Sequence, residues 1–187
     1  MGKLQKHVVK ALAVLGVMLG GTAQAQSFAE YPEARIDTYP VTGATPAEIF
    51  SSISRNAPGM IHAGQPAHAV AFSQFHWRTR STGRDWCDVE LKLDLWVTFP
   101  AHVDPHGLTG ESWDWWYNYS KSLEMHEAGH LQIAANTYPL LLEALEAGPC
   151  ETAEARAKTV LDDLSRRQAL YDQITDHGAA TSGAFGR

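Results

Sequence analysis

The chain has 187 residues, a formal net charge of −6, and 19% charged residues. That length fits one domain with a real core. A net acidic chain without a basic run argues against a nucleic-acid partner.

The first segment reads as a signal peptide. Lys3, Lys6 and Lys10 form a positive region, Ala11 to Leu19 a short apolar one, and Ala23-Gln24-Ala25 an A-x-A cleavage site. The apolar part falls short of the about 20 residues that span a bilayer, and no later stretch reaches that length. Cleavage is predicted after Ala25, leaving a single secreted or periplasmic domain over 26–187 with no transmembrane segment. The tail from about 179 reads as frayed.

The first half of the mature chain reads as β-structure. Ile36 to Val41 alternates weakly, and Thr42-Gly43 turns. Thr45-Pro46-Ala47-Glu48 is a capped helix start, with Ile49, Phe50 and Ile53 as its apolar side. Ala69 to Arg80 is apolar and aromatic and reads as a strand. Cys87 to Phe99 is the clearest strand. Its odd positions are apolar, from Cys87 through Leu91 and Leu95 to Phe99, and most of its even positions are charged. Ser81-Thr82-Gly83-Arg84 looks like the turn of a hairpin, and Pro100 is expected to end the second strand.

The second half reads as helix. Ser112 is placed to cap it, and Trp113, Trp116, Tyr117, Ser120 and Leu123 mark a 3.6-period face. Pro139 is expected to kink or end this helix. A last helix is expected from about Glu151 to Ile174, with Val160, Leu164 and Tyr171 on one stripe. The fold class is therefore α+β, antiparallel strands first, then a long helix and a C-terminal helix.

Cys87 and Cys150 are the two cysteines of the chain. An even count in an exported chain suggests one disulfide. Metal ligation is the rival reading, although neither belongs to a C-x-x-C pair.

The long helix carries His126-Glu127-Ala128-Gly129-His130, an H-E-x-x-H pattern. Positions i and i+4 lie about 40° apart around a helix, so both imidazoles leave one face and can share a Zn²⁺ ion. Glu127 projects from beside that face, where it can reach water at the metal as a general base. The plainer alternative is a solvated helix face. Gly129 argues against it, because glycine inside a helix costs about 1 kcal/mol relative to alanine, which is easier to understand where backbone and metal crowd together.

A catalytic zinc takes three protein ligands as a rule. Ile133 and Asn136 stand where the extended metzincin pattern has its glycine and histidine, which excludes that clan. The residues leave open Glu151 or Glu154 in the last helix, and His177 beyond it. His62, His68, His76, His102 and His106 are explained by loop polarity, although His102 and His106 could bind a stray metal.

The run Tyr171-Asp172-Gln173-Ile174-Thr175-Asp176-His177-Gly178, the motif helix and the two cysteines carry a resemblance. The chain resembles a family of predicted secreted bacterial zinc-dependent proteases, otherwise known only as a domain of unknown function. The resemblance implies a zinc peptidase with His126, His130 and His177 as metal ligands. Gly178 would let the backbone turn His177 back toward the motif. Tyr171 is a candidate donor to a developing oxyanion, with a core tyrosine as the plainer reading. Asp172 and Asp176 are candidate hydrogen-bond partners of a ligand imidazole.

These readings converge on an exported zinc-dependent hydrolase of peptide bonds, with Glu127 activating the attacking water and a peptide or protein as substrate. One rival is a peptidoglycan amide hydrolase of the same chemistry. Another is a non-catalytic periplasmic module that binds zinc or a cell-wall partner.

Overall fold

The computed structural model describes residues 27–57, 59, 61–62, 65–81 and 87–178, with the side chains of 61–62 and 65–66 outside that description. The expected signal peptide, the turn over 82–84, the tail from 179 and the side chain of His62 lie outside the described residues. Among the described residues five strands and three α-helices follow one another: β1 (Arg35–Val41), α1 (Pro46–Asn56), β2 (Ile61–His62), β3 (Gln65–Pro66), β4 (Val70–Ser81), β5 (Cys87–His102), α2 (Glu111–Glu146) and α3 (Ala153–Thr175). The α+β class is as read from the sequence.

The main sheet has the order β1-β5-β4, and β2 and β3 form a separate pair. β4 and β5 pair antiparallel without interruption, from Val70 opposite Thr98 to Ser81 opposite Cys87. β1 instead joins β5 in parallel, Arg35 opposite Trp96 to Val41 opposite His102, so the sheet is mixed. No local signal in β1 sets that direction. α1, β2, β3 and β4 separate the two strands, a connection long enough for parallel pairing.

Pro100 does not end β5. Pairing with β4 stops at Thr98, and β1 covers the other side through His102. Val103 donates to Val41 O at 2.9 Å. Backbone groups alternate, so the missing N–H of residue 100 faces the side β4 has left and no ladder bond is lost.

Thr45 and Glu48 close a capping box at the start of α1, with proline in the first turn. Ile49 and Ile53 are buried, whereas Phe50 stays exposed and meets His68 edge-on at 5.3 Å.

α2 starts one residue before the expected cap, with Gly110 at φ 54° as its N-cap. Its 36 residues make a rod of about 54 Å. The buried stripe runs through Trp116, Tyr119, Leu123, His126 and His130. Trp113 and Tyr117 lie off that stripe and stack on each other at the surface, 6.1 Å apart. Pro139 is inside the helix and does not end it. An interior proline costs about 3 kcal/mol. Leu141 and Leu145 beyond it are fully buried against Cys87, Ala153 and Ala157, and burying two leucines offsets that cost.

Two apolar clusters flank the middle of α2. One gathers Tyr39, Val41, Ile49, Ile53, Ala69, Leu108, Trp116, Tyr119 and Leu123. The other gathers Cys87, Leu141, Leu145, Ala153 and Ala157. The H-E-x-x-H turn lies between them.

Cys87 and Cys150 form a disulfide with Cα atoms 5.0 Å apart, tying the start of β5 to the connection between α2 and α3. Such a bond fits an extracellular or periplasmic protein. No helix among the described residues is long and apolar enough to cross a membrane.

Candidate metal centre

His126 and His130 leave α2 on one face and are buried there. α3 packs along α2 and brings Gln168, Asp172 and Thr175 to the same place, spaced i, i+4 and i+7. His126, His130 and the buried Asp172 form a group whose donor atoms all lie within 4.8 Å of one another. His130 Nε2 is 3.2 Å from His126 Nε2 and 2.9 Å from Asp172 Oδ1, and His126 Nε2 is 3.3 Å from Asp172 Oδ1. Ligand atoms at about 2.0–2.1 Å from a tetrahedral zinc stand roughly 3.3 Å apart, so these three could hold a metal ion.

The far sides of both rings fix their tautomers. Gln168 donates to His130 O at 3.1 Å, which turns its amide oxygen toward His130 Nδ1 as an acceptor. Thr175 Oγ1 donates to Tyr171 O at 2.6 Å and faces His126 Nδ1 at 3.1 Å as an acceptor. Both Nδ1 atoms therefore carry protons, and the neutral rings aim their Nε2 lone pairs at each other and at a carboxylate. Three converging acceptors repel unless a cation or a proton lies among them. Burial, and next the neighbouring His130, push the His126 pKa down to about 4. Burial also works against the charged form of His130, but bonds to Asp172 and Gln168 prevail and raise its pKa.

Glu127 sits beside the histidine face and is buried. Its Oε2 accepts the Ala71 N–H of β4 at 2.6 Å. Burial, moderated by His130 and the Ala71 bond, pushes its pKa up to about 7. That is a suitable range for proton exchange near neutrality.

Tyr171 lies flat against His126, with ring centres 5.2 Å apart, and edge-on to His130 at 5.0 Å. A Cβ on Gly129 would overlap the Tyr171 hydroxyl. The crowding that glycine accommodates is thus a tyrosine from α3. Burial pushes the Tyr171 pKa up to about 12, so the phenol keeps its proton.

His177 lies just beyond α3. Asp176 and His177 both take left-handed backbone, at φ 49° and 51°, and bend the chain back so that Gly178 stands over His126. His177 Nδ1 is 3.6 Å from Asp172 Oδ1, and its side chain is 54% exposed. His177 is therefore next to the group, while Asp172 supplies the third donor within it. Asp172, read from the sequence as a partner of a ligand ring's outer nitrogen, faces both Nε2 atoms instead. The parts missed in the sequence are Gln168 and Thr175. Their signal was a polar stripe at helical spacing with Asp172.

Glu151 and Glu154 are not brought to the site. Glu154 lies 18 residues along α3 from Asp172, about 27 Å, and accepts Trp77 Nε1–H at 3.0 Å. Three other histidines have partners away from the site. His68 Nδ1 lies 2.8 Å from Tyr119 Oη, His76 Nε2 3.3 Å from Asp94, and His102 Nε2 2.9 Å from Gly43 O. His106 belongs to a short turn over Pro105–Gly107 and is exposed.

Neither the curated proteins nor the solved structures searched give a match to this chain. A model for a bacterial protein family of unknown function, DUF922, matches residues 36–178, from β1 to the glycine over His126. Since that span covers most of the chain, with the sheet from Ile36 on, the H-E-x-x-H helix and Asp172, the chain belongs to the DUF922 family.

Proposed function

We propose that this protein is a zinc-dependent hydrolase of peptide bonds that works outside the cytoplasm. The observation that carries this reading is the convergence of His126 Nε2, His130 Nε2 and Asp172 Oδ1, with both Nδ1 atoms turned to acceptors. A metal ion satisfies all three donors together, and two imidazoles with a carboxylate suit zinc. His177, 3.6 Å from Asp172, is the alternative third donor at the exposed side. Zinc, when bound, supplies a Lewis acid for the scissile carbonyl and its attacking water.

The rest of the chemistry belongs to the chain. Gln168 and Thr175 hold the imidazoles in the required tautomers. Glu127 takes a proton from water and delivers it to the leaving amine. Tyr171, protonated and packed on both histidine rings, is the candidate hydrogen-bond donor to the oxyanion. β4 is the edge strand beside the motif helix, and its backbone suits an extended peptide better than a sugar chain.

A second reading has one observation in its favour. Asp172 and His177 together would complete a four-donor set with no open position, as in structural zinc sites. The protein would then be a zinc-binding module. Metal content followed by hydrolysis of an unstructured peptide mixture separates the two. Hydrolysis that disappears with chelator, returns with zinc and is absent from Glu127→Gln supports the hydrolase. Zinc-loaded protein with no hydrolysis supports the module.

A further inference from the structure

The outer edge of β4 is used unequally on the two sides of Glu127. Ala71 sits opposite Val97, yet its N–H points away from β5 and binds Glu127 at 2.6 Å. Pairing along β4 is uninterrupted, so the backbone groups of Ser73, Phe75, Trp77 and Thr79 point the same way. No strand among the described residues pairs with that side. Ser73 is exposed. In the other direction the edge stops at once. Ala69 is buried in the N-terminal cluster, and Tyr39 donates to His68 O at 2.6 Å.

Farther along, a groove of about 630 Å³ opens on the same strand. Phe75, Trp77 and Arg78 line it together with Leu91 and Lys92 of β5, and Glu154 accepts Trp77 Nε1–H at 3.0 Å beside them. Ala71 to Trp77 is six residues, about 20 Å of strand. The charges around the groove are of both signs, which fits a polypeptide rather than a polyanion.

We infer that the substrate is an extended polypeptide held on one side of the metal centre only, paired with β4 from Ser73 to Thr79, its far end in the groove by Trp77. This inference rests on the metallopeptidase reading. Glu127, bonded to Ala71, marks the inner limit of the paired segment. The buried Ala69 leaves no edge for residues on the other side of the scissile bond, so recognition is one-sided.

Two series of peptide hydroxamates test it on the zinc-loaded full chain. In one, residues are added on the N-terminal side of the zinc-binding group, and in the other on the C-terminal side. Affinity should rise about 3–10-fold per added residue over the first three in one series and stay flat in the other, the scale of single backbone hydrogen bonds. Ser73→Pro removes an outward N–H without touching the β5 ladder. It should remove one such step, about 3–10-fold, from the rising series while zinc content and the affinity of acetohydroxamate stay at wild-type values. Equal gains in both series, or a one-sided gain undiminished by Ser73→Pro, would overturn one-sided binding. Zinc-loaded protein that binds no hydroxamate at all would overturn the metallopeptidase reading instead, and this inference with it.

Discussion

The Tyr171 phenol fills the space where a side chain on Gly129 would stand. One contact thereby joins the centre of the motif helix to the helix that carries Asp172, and it fixes how closely the two helices approach.

Gly129→Ala is expected to destabilise the protein by about 1–3 kcal/mol, the usual scale of overpacking. Urea unfolding measures this. The double variant with Tyr171→Ala should lose less than the two single losses added together, because they share one contact. A stabilising Gly129→Ala, following helix propensity alone, would show that the helices do not meet this way.

Metal binding should be one zinc per chain, checked by elemental analysis. At free zinc about 100-fold above Kd, linkage adds about 2.7 kcal/mol to stability, visible as a rise in Tm that chelator reverses. His126→Ala and His130→Ala should each lose the response. Zinc retained in His126→Ala would remove the central claim.

Asp172→Asn should weaken zinc binding at least about 10-fold, since Asp172 touches both Nε2 atoms. His177→Ala then ranks the third donor. Zinc retained in that variant makes Asp172 the ligand, and zinc lost makes His177 one. Unaltered affinity in Asp172→Asn would mean that the carboxylate leaves the site on metal binding.

Glu127→Gln keeps the side chain's shape and removes its basic carboxylate. Zinc content should stay near wild type, while hydrolysis of a peptide mixture falls by roughly 10²–10⁴. Tyr171→Phe tests the oxyanion assignment in the same assay, with a fall in kcat at unchanged zinc content as the expected result. If Glu127→Gln hydrolyses as fast as wild type, another group is the base.

The disulfide closes a loop with a sequence separation of 63. Loop-closure entropy puts its contribution at about 4 kcal/mol. Free-thiol labelling of unreduced, denatured protein should find no thiol from either cysteine, and reduction should lower Tm. An unchanged Tm after verified reduction would mean that packing alone holds the connection between α2 and α3.

Much of the fold was legible because it was locally encoded. The alternation from Cys87 gave β5, the capping box at Thr45 gave α1, and the paired cysteines gave the bond. Pro100 was expected to end its strand and Pro139 to kink or end its helix, and neither ends its element. Each acts through a lost N–H, and whether that matters depends on what lies opposite it. At Pro100 β4 has already left the side that the lost N–H faces, and at Pro139 the buried leucines outweigh the loss.

The sequence by itself determined the two imidazoles and the carboxylate beside them, since a spacing of four residues on a helix puts side chains on one face whatever surrounds it. It could not decide what α3 brings to them. Gln168 and Thr175 read as ordinary helix residues, and Asp172 only as a partner of a ligand ring, until a sequence separation of 38 or more is folded back onto the motif. Whether their oxygens face Nδ1 or Nε2 depends on the packing of α3 against α2, down to a phenol resting on a glycine. The direction of β1 and the choice of β4 as the exposed edge were likewise decided by the whole sheet, because strand order is a relation between distant segments that no local pattern contains.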